Sequence, residues 1–218
     1  EKIVLITVRS SDLEKIYHVR SSNLISLKEV AEVSDSFFWD KVVWTDILSK
    51  LIEKNPKKIG LSFYFTPYLN RSNLTNEDLK ILNDKRVVWA SSTINDLHRY
   101  EDGIIRRFLT RENSSYHFAE TLANKRVDPK RSKFINFRGP DGSFSQFYLE
   151  DLLKDKIPAK FLQDKIIIVG PESNASTPLT TPFGTMKRTE ILANIVYNLM
   201  EDRWILRLPT LMYALLLL

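Results

Sequence analysis

Two runs of β-branched and aliphatic residues, KIVLITVR (2–9) and KIIIVG (165–170), each read as a buried strand, and KIGLSFYF (58–65) and KRVVWA (85–90) read as further strands. Amphipathic segments stand between them. In WTDILSKLI, Trp44, Ile47, Leu48, Leu51 and Ile52 fall at i, i+3, i+4, i+7 and i+8, one apolar face of a helix. Asn55-Pro56 stops that helix, because the residue before proline is pushed out of the α region. Thr75 followed by Asp78 marks a second helix start, with Leu74 and Leu79 placed as a staple. LISLKEVAEV predicts a short helix, and SSYHFAETLAN (114–124) a serine-capped one. TEILANIVYNLMED (189–202) puts Ile191, Leu192, Ile195, Val196 and Leu199 on one face. Strands alternating with helices predict an α/β fold in one domain, a mixed but largely parallel central sheet flanked by helices. FINFRGPDGSF (134–144) is a strand running into a Gly/Pro-rich turn, and Asp102-Gly103 is a second turn signal.

The last twelve residues, RLPTLMYALLLL (207–218), demand a separate account. From Leu208 onward none is charged, yet the run is about half of the ~20 residues that cross a bilayer. Two readings stand: the first half of a transmembrane helix, or a hydrophobic terminal helix docked on a core or partner. The first is the expectation taken forward, giving a folded domain over 1–206 and the start of a membrane helix over 207–218. Pro209 suits the first turn of such a helix, and Arg203, Trp204 and Arg207 precede it as interfacial anchors do. Glu1 opens directly on strand-like sequence, which implies a natural start further upstream.

Several function classes lose their residues. The chain has no cysteine, which removes disulfides, thiolate chemistry and Cys-based zinc sites. His18, His98 and His117 show no metal-ligand spacing, so no metal site and no cofactor is expected. Gly142 to Ser145 and Gly170 to Ser176 lack the second glycine of a nucleophile elbow, and no phosphate-binding glycine loop occurs. The formal charge of +5 comes from short basic patches near turns, without the basic, aromatic-interleaved stripe of a nucleic-acid binder.

What remains is a set of polar turns at strand ends, where open α/β sheets gather ligands. Arg138, Ser173 and Asn174, with Asp102 and Arg106, are the candidate ligand-binding residues. The plainer account is tight-turn chemistry with charged loops, which uses the same residue types.

The order of these motifs resembles the CHASE type 2 domain, an extracytoplasmic sensory module of bacterial transmembrane receptors. The matching stretches are Asp102 to Arg107, Phe137 to Phe144, Lys165 to Gly170, Thr181 to Gly184 and Glu190 to Asn194. The chain departs from the family pattern at Arg188-Thr189, Leu192, Ser62 and the segment FFWDKVVW. The resemblance implies no catalysis in this segment and a periplasmic domain of the inner membrane, flanked by membrane helices. It further implies a cytoplasmic output such as a histidine kinase, an adenylate cyclase or a diguanylate cyclase. A small-molecule or protein signal would pass through the last helix, with Glu190, Asn194, Trp204 and Arg207 as the relay. A homodimer is the expected assembly, through Phe37 to Trp39 or the last helix. The alternatives are a membrane-tethered envelope hydrolase using Asp102, Asp141 or Glu172 as acid and base, and a structural interaction domain.

Overall fold

The computed structural model describes residues 1–9, 12, 41–62, 75–90, 97–99, 102–108, 118–128, 133–172 and 179–206. Five parallel strands form the central sheet: β1 (Ile3–Val8), β2 (Lys58–Leu61), β3 (Val87–Trp89), β7 (Ser145–Tyr148) and β8 (Ile166–Pro171), in the order β3-β2-β8-β1-β7. Every residue of β1 and of β8 is buried. Alternation along the pleat therefore feeds two cores instead of one core and one wet face.

On one face lie Val4, Ile6, Val8, Ile167 and Val169. They are covered by α1 (Lys41–Glu53) and α4 (Leu149–Leu153). Trp44, Ile47, Leu48 and Leu51 of α1 are essentially inaccessible, as the helical spacing requires, and Ile52 sits at the margin. On the other face Ile3, Leu5, Ile166 and Ile168 meet α3 (Phe118–Ala123) and α5 (Arg188–Glu201). Each fully buried aliphatic side chain here is worth about 1.5–3 kcal/mol relative to exposure. The exposed helix α2 (Asn76–Leu82) joins β2 to β3 and opens with the full Thr75/Asp78 capping box, while Leu79 lies on its surface.

A second sheet, absent from the expectation, packs beside α5. It contains β4 (Leu97–Arg99), β5 (Ile105–Phe108), β6 (Lys133–Ile135) and β11 (Trp204–Ile205), antiparallel in the order β11-β6-β5-β4. Phe108 of β5 stacks on Trp204 of β11, with ring centroids 6.0 Å apart. A hairpin of β9 (Leu179–Thr181) and β10 (Gly184–Met186) leads into α5. Among the described residues of the run 58–65, read as one strand, Lys58–Leu61 form the strand and Ser62 lies just past its end. Its continuation beyond Ser62, LISLKEVAEV, Leu74, Ser114, Phe37 to Trp39 and 207–218 lie outside the described residues. Among the described residues no helix is long and apolar enough to cross a membrane.

The start of α5 lies against the end of β8 at one glycine. A Cβ on Gly170 would stand 2.0 Å from Thr189 Cγ2 and 2.3 Å from Ser62 Oγ. Ser62 is itself locked, its hydroxyl donating to the Val169 carbonyl at 3.0 Å. Helix α5 then runs antiparallel to the strands and ends beside β1, where Lys2 Nζ meets Glu201 Oε1 at 2.7 Å. Asp202 stops the helix in the left-handed region (φ 51°), and the chain passes from there into β11.

Candidate functional site

Helix α5 is buried almost all round, and one stripe of it is polar. Glu190, Asn194 and Asn198, at i, i+4 and i+8, are each 0% exposed. Residues this polar are rarely buried without partners. Their partners are backbone groups of 136–143, the segment that leaves β6. Asn198 Oδ1 accepts from Asn136 N at 2.7 Å and its Nδ2 donates to Asn136 O at 2.9 Å. Asn194 Oδ1 accepts from Arg138 N at 2.9 Å, while its Nδ2 donates to Glu190 O at 2.9 Å. Glu190 Oε1 accepts from Ser143 N at 2.8 Å. The helix holds this irregular loop as a neighbouring strand would, with side chains supplying the ladder.

The sequence expectation named Glu190 and Asn194, and the structure places both on this stripe. Asn198 was missed, although its spacing from Asn194 was there to read.

Glu190 is the strained member. Its Oε2 is buried with no hydrogen-bond partner among the described residues. Burial pushes its carboxyl above the ordinary glutamate range and the charge of Asp141 adds to the rise; the N–H groups of Ser143, Gly142 and Phe144 oppose it. Asp141 is in turn tied to Lys187, whose N–H donates to it at 3.1 Å and whose ammonium stands 3.6 Å away. A carboxyl with a raised native pKa holds its proton where the unfolded chain has lost it. Its contribution to stability is full below about pH 4.5 and is lost as the pH rises through the raised native value. Glu190→Gln keeps the acceptor for Ser143 N without the charge. We expect it to melt at or above the wild-type temperature at neutral pH, with the difference closing in acid. Glu190→Ala, lacking the acceptor, loses about 1–3 kcal/mol in acid, and the deficit shrinks as the pH rises and wild-type Glu190 ionises. Melting curves across pH check both, and a wild-type advantage over Glu190→Gln at neutral pH would contradict the assignment.

A second polar group sits at the carboxyl edge of the sheet. β1 and β8 are adjacent, and the next described helices after them, α1 and α5, cover opposite faces. The carboxyl edge is where open α/β sheets gather ligands. There Arg9 pairs with the fully buried Asp12 (Nε to Oδ1, 2.9 Å) and with Glu150 (3.0 Å), and lies 4.1 Å over the Tyr148 ring. Glu172, whose N–H donates to Val8 O at 2.9 Å, closes the strand end. Arg9 and Asp12 were not singled out from sequence; an arginine directly after a fully apolar strand was the available signal. Ser173 and Asn174 follow Glu172 but lie outside the described residues, as does Arg207.

The remaining candidates fall into separate contact sets. Arg138 spreads over Phe144 (4.8 Å) and Tyr197 (5.1 Å) and reaches Glu1 at 3.4 Å. Asp102 instead accepts from the Ile104 N–H and from Arg106 at 2.8 Å, within its own exposed turn. These partners hold the Asp102 carboxyl below the ordinary aspartate range, the Ile104 N–H first and Arg106 after it. A general acid needs the opposite shift. Trp204 is half-buried between Phe108 and Lys133, whose ammonium stands 5.1 Å over its ring.

Comparison with curated proteins and with solved structures finds no match. The family model of the CHASE2 domain matches residues 1–218, the whole chain. With motif order, fold and family match in agreement, the chain belongs to the CHASE2 domain family, whose members are extracytoplasmic sensory domains.

Proposed function

We propose that this chain is the sensory input domain of a bacterial transmembrane receptor, and that α5 carries the state of the loop 136–143 toward the apolar run at 207–218. The observation that supports this is the stripe of Glu190, Asn194 and Asn198, which fastens that loop to the helix preceding the exit strand β11. A signal acts by its differential affinity for two arrangements of loop and helix. The segment runs on to a cytoplasmic kinase or nucleotide cyclase output in a receptor that works as a homodimer.

The test is made in the full-length receptor in membranes. Asn198→Ala loosens the loop and is expected to shift basal output. Two glycines inserted between Arg203 and Trp204 are expected to erase that shift, because they separate the helix from the exit strand. If Asn198→Ala shifts output equally with and without the insertion, α5 is not the relay.

A further inference from the structure

Because β1, β2, β3 and β8 are parallel, the residues before each strand share one edge of the sheet. In this protein they are basic: Lys2 before β1, Lys57 before β2, Lys85 and then the Asp84-paired Arg86 before β3, and Lys165 before β8. Ile166 N donates to Lys2 O at 3.0 Å, Lys57 N to Lys165 O at 2.9 Å, and Lys58 Nζ to Lys85 O at 3.0 Å, so Lys2, Lys57, Lys58, Lys85 and Lys165 are neighbours. Helix α5 ends at this same edge, beside Lys2. Lys125 Nζ caps its last turn at Met200 O, 3.0 Å away, and the exposed Arg203 follows.

Internal pairing leaves part of this charge free. Glu201 is taken by Lys2, Asp84 by Arg86, and Asp202 is met by Lys133 at 3.8 Å. Among the described residues Lys57, Lys85 and Lys165 make no ion pair; Asp84 and Asp164 adjoin Lys85 and Lys165 along the chain, and the half-buried Lys165 holds its ammonium 6.0 Å over the Phe161 ring. At the opposite edge, among the described residues, Asp12, Glu150 and Glu172 gather around Arg9, with Lys154 on Glu150 at 2.5 Å.

The chain leaves the fold on the basic side. Trp204 pairs with Ile135 and Ile205 with Phe134, so β11 points away from the carboxyl edge, toward the start of β6. Ile205 is 54% exposed and Leu206 89%. Arg207 follows, and then the uncharged apolar residues from Leu208 onward.

We propose that the lysine edge of the sheet is the face that rests on a bilayer carrying anionic phospholipids, with Lys57, Lys85 and Lys165 meeting headgroup phosphates beside the point where the apolar run enters. This rests on the reading that 207–218 enters a membrane. Charge complementarity and the covalent continuity of edge, exposed Leu206 and apolar run select a lipid surface. Each lysine near an anionic surface contributes about five-fold in partition, falling within a Debye length and weakened by salt.

The test uses the whole chain with vesicles of phosphatidylcholine alone and of phosphatidylcholine mixed with phosphatidylglycerol, at low and high salt. Wild type is expected to prefer the anionic vesicles. The triple variant K57E/K85E/K165E is expected to lose at least about 50-fold in anionic partition, while K57R/K85R/K165R keeps it and controls for folding. If wild type partitions equally into both vesicles, or the glutamate variant matches wild type on the anionic ones, the lysine edge is not the membrane face. The membrane-entry reading survives that result. If wild type binds neither vesicle, that reading falls and takes the proposal with it.

Discussion

Gly170→Ala is expected to destabilise the domain by about 3 kcal/mol, at the upper end for overpacking a filled core. The added methyl would meet Thr189 Cγ2 at 2.0 Å and Ser62 Oγ at 2.3 Å. Neither neighbour can step aside at small cost. Thr189 is buried in the first turn of α5, and the Ser62 hydroxyl is committed to Val169 O. Thr189→Ser removes the nearer methyl, so G170A/T189S should recover part of the loss and give a favourable coupling in a double-mutant cycle. Gly60→Ala is the useful contrast. Its methyl meets Leu122 Cδ1 at 2.6 Å and Phe118 Cζ at 2.8 Å, the far ends of side chains that have rotamers to use. Its cost should be smaller. Urea unfolding of the four variants measures all of this, and a Gly170→Ala protein as stable as wild type would mean that α5 does not start against β8.

The second large effect is at Asn198. Its amide satisfies both the N–H and the carbonyl of Asn136, so Asn198→Ala strands two backbone groups at once. Unsatisfied groups of this kind cost ~1–3 kcal/mol each where water cannot reach them. The exposed side of Asn136 admits some water, and a total loss of about 2–3 kcal/mol is expected. The more specific readout is local. Amide exchange at Asn136 and Arg138 should speed up, while the amides of β1 and β8 slow or speed only with global stability. Uniform acceleration across the chain would show that the stripe does not hold the loop in particular.

The central sheet was legible because β1 and β8 are apolar at every position, and such runs have nowhere to lie except between two layers. The apolar face of α5 was legible for the same reason, since Ile191, Leu192, Ile195, Val196 and Leu199 repeat at helical spacing. The second sheet was not. Its strands β5, β6 and β11 are two to four residues long and pair across wide separations, Ile135 with Trp204 and Phe134 with Arg107. No local period can announce such pairing. The candidate site was half visible. Glu190 and Asn194 came from motif resemblance, yet their burial depends on a loop whose backbone they hold, and a helical pattern alone assigns such residues to solvent. Arg138 and Asp102 looked alike as turn residues and turned out to serve different neighbours, because antiparallel pairing and turn geometry decide which charges meet.

The left-handed Asp202 bears on how movement reaches the exit. Because the helix stops there, α5 and β11 do not form one stiff rod, and a twist of α5 about its own axis dies at the bend. What continues outward is β11, zipped to β6, and β6 runs directly into the loop that α5 holds. Helix, loop and exit strand make a closed linkage with two arms fixed at the same joint. On the proposed relay, a displacement of α5 with the loop it holds would reach the exit as a pull on β11, a tug on a strand more than the turn of a screw.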